Sequence, residues 1–517
     1  RKVVCESDPA AMRLQWIIAP LIVLVVPAAL SGQPRRENQL QQEDWSQCKS
    51  SDPAQSIGGC SELIQSGSLS KVEMAEAFTE RGSAYARKGD YDHAIQDFDW
   101  ALRIKPRYAD AFVGRGSTYI LGQDYDRAIQ EYSEALRLDP NSAKAFYGRG
   151  IAYTHKGLYD QAIQDYDQAL RLRPSDADYF YGRGLAYMRK GDYGHALKDY
   201  DQALQVNPTY VDAFANRGWA YAQAGDYDRA IRDYDQSLRL NPRYADAFYS
   251  RGRAYAHKRD YDRAIQDYDQ ALRLRSNFPD IFVARGVAYW RKGEYDRAIH
   301  DYDQALRLRP SDADAFSGRG LAYWRNGDCD RAIEDYDQAL RLGPSDADAF
   351  YNRGLAYESK GEHNRAIQDY DQAIRLKPND ADSLGDRGLA YMHTADYKRA
   401  IQDYNEALRI NPTDVATFNN RGLAYAQEGD YDRAIQDYDR ALLINPKFGV
   451  AYLCRSFAYA RKGAFLRAID DWARWLWLEH GPLGITIRLI ILAFTVGFAF
   501  GLKRFRQECE VSCTRVP

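Results

Sequence analysis

The stretch ADAFSGRGLAYWRNGDCDRAIEDYDQALRLGPSD, residues 313–346, decides how this chain folds. Phe316, Gly320 and Tyr323 fall at i, i+4 and i+7, one face of a helix. Ala332, Tyr336 and Ala339 repeat that spacing on a second helix. Gly327 stands between the two, where the chain must turn, and Pro344 ends the second helix. Gly320 and Ala332 are small enough for the helices to approach closely. Phe316 and Tyr336 supply the bulk that fills between them.

The same unit recurs every 34 residues without a gap, beginning at Ala75, Ala109, Ala143, Ala177, Val211, Ala245, Pro279, Ala313, Ala347, Ala381 and Val415, with a degenerate twelfth unit from Gly449. Phe248, Gly252, Tyr255, Ala264, Tyr268 and Ala271 reproduce the set, although Ser276 replaces the usual Pro. This pattern resembles the tetratricopeptide-repeat family over residues 75 to about 480. The resemblance implies an all-α, right-handed superhelical solenoid of about twelve helix-turn-helix units. It also implies a concave groove, lined by the first helices, that takes peptides or folded proteins. A repeat array of this kind grows without a single central core, so the length of 517 residues does not call for several domains.

One departure from the family is systematic. The residue before the first-helix Gly is usually apolar there; here it is Arg in every unit, from Arg81 through Arg251 to Arg455. An acid precedes the second-helix aromatic in every unit too, from Asp97 through Asp267 to Asp471. Both lie on faces that should pack, where an unpaired charge costs several kcal/mol. They are read as a structural ion-pair ladder, within or between units, rather than as an anion-binding arginine track.

The two ends differ from the middle. Leu14 to Leu30 is apolar, follows Met12-Arg13 and is followed by small residues. It reads as a signal peptide (12–31) or an uncleaved anchor, with Met12 as the start and residues 1–11 foreign to it. Residues 33–74 read as a helical cap stapled by Cys48–Cys60, a bond that an oxidising exterior permits. The array proper takes 75–448 and a capping unit 449–482, whose Trp472, Trp475 and Trp477 are expected to rest at a bilayer surface. Leu483 to Leu502 is long enough to span a bilayer of about 30 Å, the alternative being a buried capping helix. Lys503, Arg504 and Arg506 then place the tail, 503–517, in the cytoplasm and the repeats outside a bacterial inner membrane.

Composition excludes several functions. With 70 basic and 73 acidic residues the net charge is −3, so nothing drives the chain onto nucleic acid. No Gly-rich phosphate loop occurs. The seven Cys are scattered, and the eight His are read as lying on solvated helix faces, none at metal-ligand spacing. No cofactor, metal or catalytic residue is therefore expected. Cys509 and Cys513 lie in the tail and are read as a plain reduced pair.

Function is expected in the groove. The second residue of the unit is Asp in eight of twelve units, and the thirteenth is often basic, as in Arg291 and Arg325. The groove thus looks striped, and the Lys/Asn carboxylate clamp of chaperone-docking relatives does not carry over. Trp290 and Trp324 lie one repeat apart, each followed by Arg, with Tyr181, Trp219, Tyr249 and Tyr351 at neighbouring groove positions. Such residues are interface hot spots, or else they pack neighbouring units together. The leading expectation is a periplasm-facing, membrane-tethered scaffold for protein or peptide partners. Its rival is an envelope-glycan or lipid-carrier binder that stacks sugars on the same aromatics.

Overall fold

A computed structural model describes residues 42–494, with side chains to 479. The signal segment, residues 33–41, the tail and its cysteines lie outside the described residues. The described chain is all-helical and divides into two parts, up to Lys190 and from Gly191. The first holds α1 (42–48), α2 (Pro53–Ser66), α3 (Lys71–Lys88), α4 (Tyr91–Ile104), α5 (Ala109–Leu121), α6 (Tyr125–Leu138), α7 (Ala143–His155), α8 (Tyr159–Leu172) and α9 (Ala177–Lys190). The second opens with α10 (Tyr193–Val206), α11 (Val211–Gln223), α12 (Tyr227–Leu240), α13 (Ala245–His257), α14 (Tyr261–Leu274), α15 (Pro279–Arg291), α16 (Tyr295–Leu308), α17 (Ala313–Arg325) and α18 (Cys329–Leu342). It continues through α19 (Ala347–Ser359), α20 (His363–Leu376), α21 (Ala381–His393), α22 (Tyr397–Ile410), α23 (Val415–Gln427), α24 (Tyr431–Ile444), α25 (Gly449–Arg461) and α26 (Phe465–Phe494).

Local chemistry sets the helix limits. Most second helices begin on an Asp whose side chain accepts an orphan backbone N–H of the first turn, as Asp328 does from Arg331. First helices end in a left-handed residue, usually Gly, such as Gly327 at φ 88°. Three turns lack Gly at that place and hold Gln123, Arg259 and Ala395 at φ 61–62°. The array starts one turn earlier than its repeat predicts, because Ser70 and Glu73 form a capping box ahead of Ala75.

Packing explains the small residues. A Cβ on Gly320 would meet the Tyr336 ring at 3.1 Å, and one on Gly318 would meet Tyr302 of the preceding hairpin at 2.7 Å. Each buried Tyr is thus wedged between the first helix of its own hairpin and that of the next. The ring holds the hairpin closed and stacks it on its neighbour at once.

The arginines make a ladder with two rails. Arg251 Nε donates to Asp267 Oδ2 at 2.8 Å and Nη2 to Asp267 Oδ1 at 2.6 Å, a bidentate pair within one hairpin. Nη1 reaches back to Asp235 of the preceding hairpin at 2.5 Å. Arg285, Arg319, Arg353 and Arg387 do the same with Asp301/Asp269, Asp335/Asp303, Asp369/Asp337 and Asp403/Asp371. Where the backward place is not acidic, Ser133 accepts from Arg149 and Asn405 from Arg421. Burial pushes the Asp267 carboxyl above its ordinary range, and Arg251 pulls it back only in part. Burial also acts to lower the Arg251 guanidinium, but its bonds to Asp267 and Asp235 more than reverse that. The two shifts pull opposite ways, and the bidentate geometry decides for an ionised pair. Desolvation then offsets much of its attraction.

At the N-terminal end Cys48 and Cys60 are joined by a disulfide between α1 and α2, their Cα atoms 4.4 Å apart. At the other end the tryptophans correct the sequence expectation. Trp475 is buried and Trp472 packs on the same cluster, beside Tyr452 and Leu476, because both face the first helix of their own hairpin. Only Trp477 is exposed. Among the described residues no helix is long and apolar enough to cross a membrane. The segment 483–502 is described only to 494, as the end of α26.

Candidate functional site

Successive first helices touch one another, as α5 with α7 and α15 with α17, more than any successive second helices do among the described residues. A stack spaced more tightly on one side curves toward that side, so within each part the first helices line the inner curve. The groove residues picked from the sequence all lie on them.

Trp290 and Trp324 are half-buried. Trp290 packs with Tyr302 and Phe316, and Trp324 with Tyr336 and Ala356, each at the joint between hairpins. Arg291 lies 5.0 Å from the centre of the Trp290 ring and Arg325 4.6 Å from that of Trp324, both in cation–π range. Trp324 Nε1 donates to Ser359 Oγ of the next hairpin at 2.9 Å, whereas the buried Trp290 Nε1 has no acceptor among the described residues. Tyr249 packs on Tyr268 and on Phe278, which links to the next hairpin, and Trp219 meets Tyr193 edge-on at 5.9 Å. Tyr351 O–H donates to Asp386 Oδ2 of the next hairpin at 2.7 Å. Tyr181 is half-buried. Lateral packing between units therefore claims much of Trp324, Tyr249 and Tyr351. Beside the half-buried Trp290, the Arg291 guanidinium is exposed.

The acidic edge is partly neutralised, which the spacing did not reveal. Asp246 pairs with Arg275, Asp280 with Arg309 and Asp348 with Lys377, each cation coming from the end of the same hairpin.

A second cluster departs from the reading of the histidines at two of them, His363 and His393. Glu358 Oε1 accepts from His363 Nδ1 at 2.9 Å and from His393 Nδ1 at 2.5 Å. The two imidazole rings lie 4.6 Å apart. The three residues offer ligand atoms within 4.8 Å of one another, a spacing that can hold a metal ion. Glu358 Oε2 is buried without a hydrogen-bond partner. Burial works to raise the Glu358 carboxyl, but the bonds from His393 and His363 outweigh it and hold the group below its ordinary range. No sequence motif announces this group, because its members come from α19, the start of α20 and the end of α21.

A stack of helical hairpins with wedged tyrosines, left-handed turns and an inner file of first helices defines a class of repeat proteins, and the comparisons agree. Models of the tetratricopeptide repeat match residues 215–279, 317–381 and 351–415, and again 75–108, 177–210 and 415–448. A TPR repeat model matches 116–157, 152–191 and 291–327. The chain belongs to the tetratricopeptide-repeat family. No curated protein matches it. Among solved structures it is similar to MamA, at 27% identity over 32% of this chain and 96% of that one, with a TM-score of 0.30. YrrB, described as a TPR protein with an unusual peptide-binding site, matches at 27% identity over 35% of this chain and 92% of its own, TM-score 0.30. The Cut9–Hcn1 structure matches at 16% identity over 82% and 97%, TM-score 0.40.

Proposed function

We propose that this chain is a non-catalytic interaction scaffold, exposed to the bacterial periplasm and tethered to the inner membrane, that captures a peptide or protein on the first helices of its second part. The observation that carries the reading is Trp290 with Arg291. An apolar plate and an exposed guanidinium stand together on the inner face. A partner segment with an apolar side chain for the ring and an acid for Arg291 fits this chemistry better than a bare sugar.

The tether is supported by the sequence of both ends and by an apolar outer surface on the last two hairpins. Leu466 is 87% exposed where most units carry Asp, and Leu443 is 72% exposed where most carry Arg. Trp477 also replaces that Arg and is exposed, so these side chains offer apolar surface to lipid shortly before the apolar segment 483–502 in the sequence.

Photocrosslinking in living cells tests the binding site. A crosslinker at Val287, an exposed residue about one turn before Trp290 on α15, should give one discrete adduct, and the same probe at Arg263 or Arg297 none. Trp290→Ala with Trp324→Ala should abolish the adduct, a loss of about 2 kcal/mol or more. Both rings are half-buried, so Arg291→Glu with Arg325→Glu serves as the folded control and should also abolish it. Adducts that persist in both variants would rule this surface out.

A further inference from the structure

We propose that Glu358, His363 and His393 form a binding site for a divalent cation of the zinc class, held by one carboxylate oxygen and two imidazole nitrogens with a coordination position left open. The inference goes beyond the scaffold reading and does not depend on it.

The repeat itself supplies the comparison. The seventeenth residue of one unit meets the thirteenth of the next. At two such joints that meeting is a parallel stack, Tyr125 on His155 at 4.7 Å and Tyr227 on His257 at 4.9 Å. His393 is the same thirteenth residue, but its partner Tyr has become His363. No other unit has His in that place. The twelfth residue beside the joint is Ile120 at the first stack and Ala222 at the second; here it is Glu358, the one acid at that place in the array. Two substitutions peculiar to one unit thus complete a donor set around a His that elsewhere only stacks.

The chemistry of the set is selective. Two imidazoles and a carboxylate suit zinc and its first-row neighbours, whereas calcium and magnesium prefer all-oxygen shells. In a tetrahedral zinc site ligand atoms stand roughly 3.3 Å apart, as follows from bonds of about 2.0–2.1 Å. The Nδ1 atoms lie 2.5 and 2.9 Å from Glu358 Oε1, so side-chain rotation of less than about 1 Å admits the ion. The backbone positions come from three packed helices and need not move. A hydrogen-bonded trio alone leaves Glu358 Oε2 buried and unsatisfied. A cation gives both carboxylate oxygens a positive partner. Three protein ligands leave a fourth position open to water or to a side chain of a bound partner.

The test uses the full-length chain, stripped with chelator and titrated with zinc chloride by calorimetry. The variants His363→Tyr, Glu358→Ala and His393→Gln carry residues that other units hold at the same places, so the array should fold, as circular dichroism would verify. Wild type should bind one more equivalent of zinc than any variant, or bind it at least tenfold more tightly. Cobalt(II) added to wild type should give d–d absorption without a thiolate charge-transfer band, a readout independent of the variants. Absence of zinc binding, equal binding by wild type and variants, or a cobalt spectrum dominated by thiolate would each overturn the proposal.

Discussion

Arg251 directs three donors at two carboxylates, and its neighbours in the ladder do the same. Removing one guanidinium leaves the buried Asp267 without a counter-charge. Arg251→Ala should destabilise the array by about 3 kcal/mol. Leu at both positions, 251 and 267, should recover much of that loss in urea melts, since two apolar residues carry no desolvation cost. An unchanged melt in Arg251→Ala would mean the guanidinium is merely solvated. Asp386 behaves differently, having no Arg to face. Burial raises its carboxyl to about 6, with the Tyr351 O–H acting the other way. A carboxyl raised in the fold stabilises it in the protonated form. That contribution is complete below about pH 4 and is lost as pH rises through about 6. Asp386→Asn should therefore exceed wild type in stability by on the order of 2 kcal/mol at about pH 7.5 and match it near pH 4. A difference independent of pH would exclude this account.

Within the repeat hairpin, the turn between helices is strained at three places. Nine of the twelve turns put a glycine in the left-handed conformation, but Gln123, Arg259 and Ala395 take it with a Cβ attached. That conformation costs a non-glycine residue roughly 1 kcal/mol or more. Ala395→Gly should raise the stability of the array by about 1 kcal/mol, read as a higher urea midpoint with unchanged slope. The same change at Ala224, which ends α11 at φ −78°, should lower it. Equal effects at the two sites would show that turn conformation is not the cause.

For the whole chain, the scaffold reading turns on orientation. A hairpin array tethered from its C-terminal end should lie wholly on one side of the membrane, with the basic tail on the other. In intact cells with a permeabilised outer membrane, a membrane-impermeant maleimide should label Arg243→Cys. A fluorescent protein fused after Pro517 should remain bright in the cytoplasm. Labelling of Arg243→Cys only after lysis would sink the periplasmic assignment.

The 34-residue period by itself gave the hairpins, their turns and the wedged tyrosines, because helix periodicity and Gly/Pro punctuation are local properties of the chain. It also gave one rail of the ladder, since an acid and an Arg that recur together on packed faces need each other. It could not give the second rail. Asp235 reaches Arg251 only because one hairpin stacks on the next at a fixed register. The same stacking let Trp324 bond Ser359 across a joint, while the closing of the last hairpin turned Trp472 and Trp475 inward. It also brought Glu358, His363 and His393 within reach of one another from three helices. Contacts between units depend on the rotation from hairpin to hairpin, which side-chain packing sets and no spacing within a unit records.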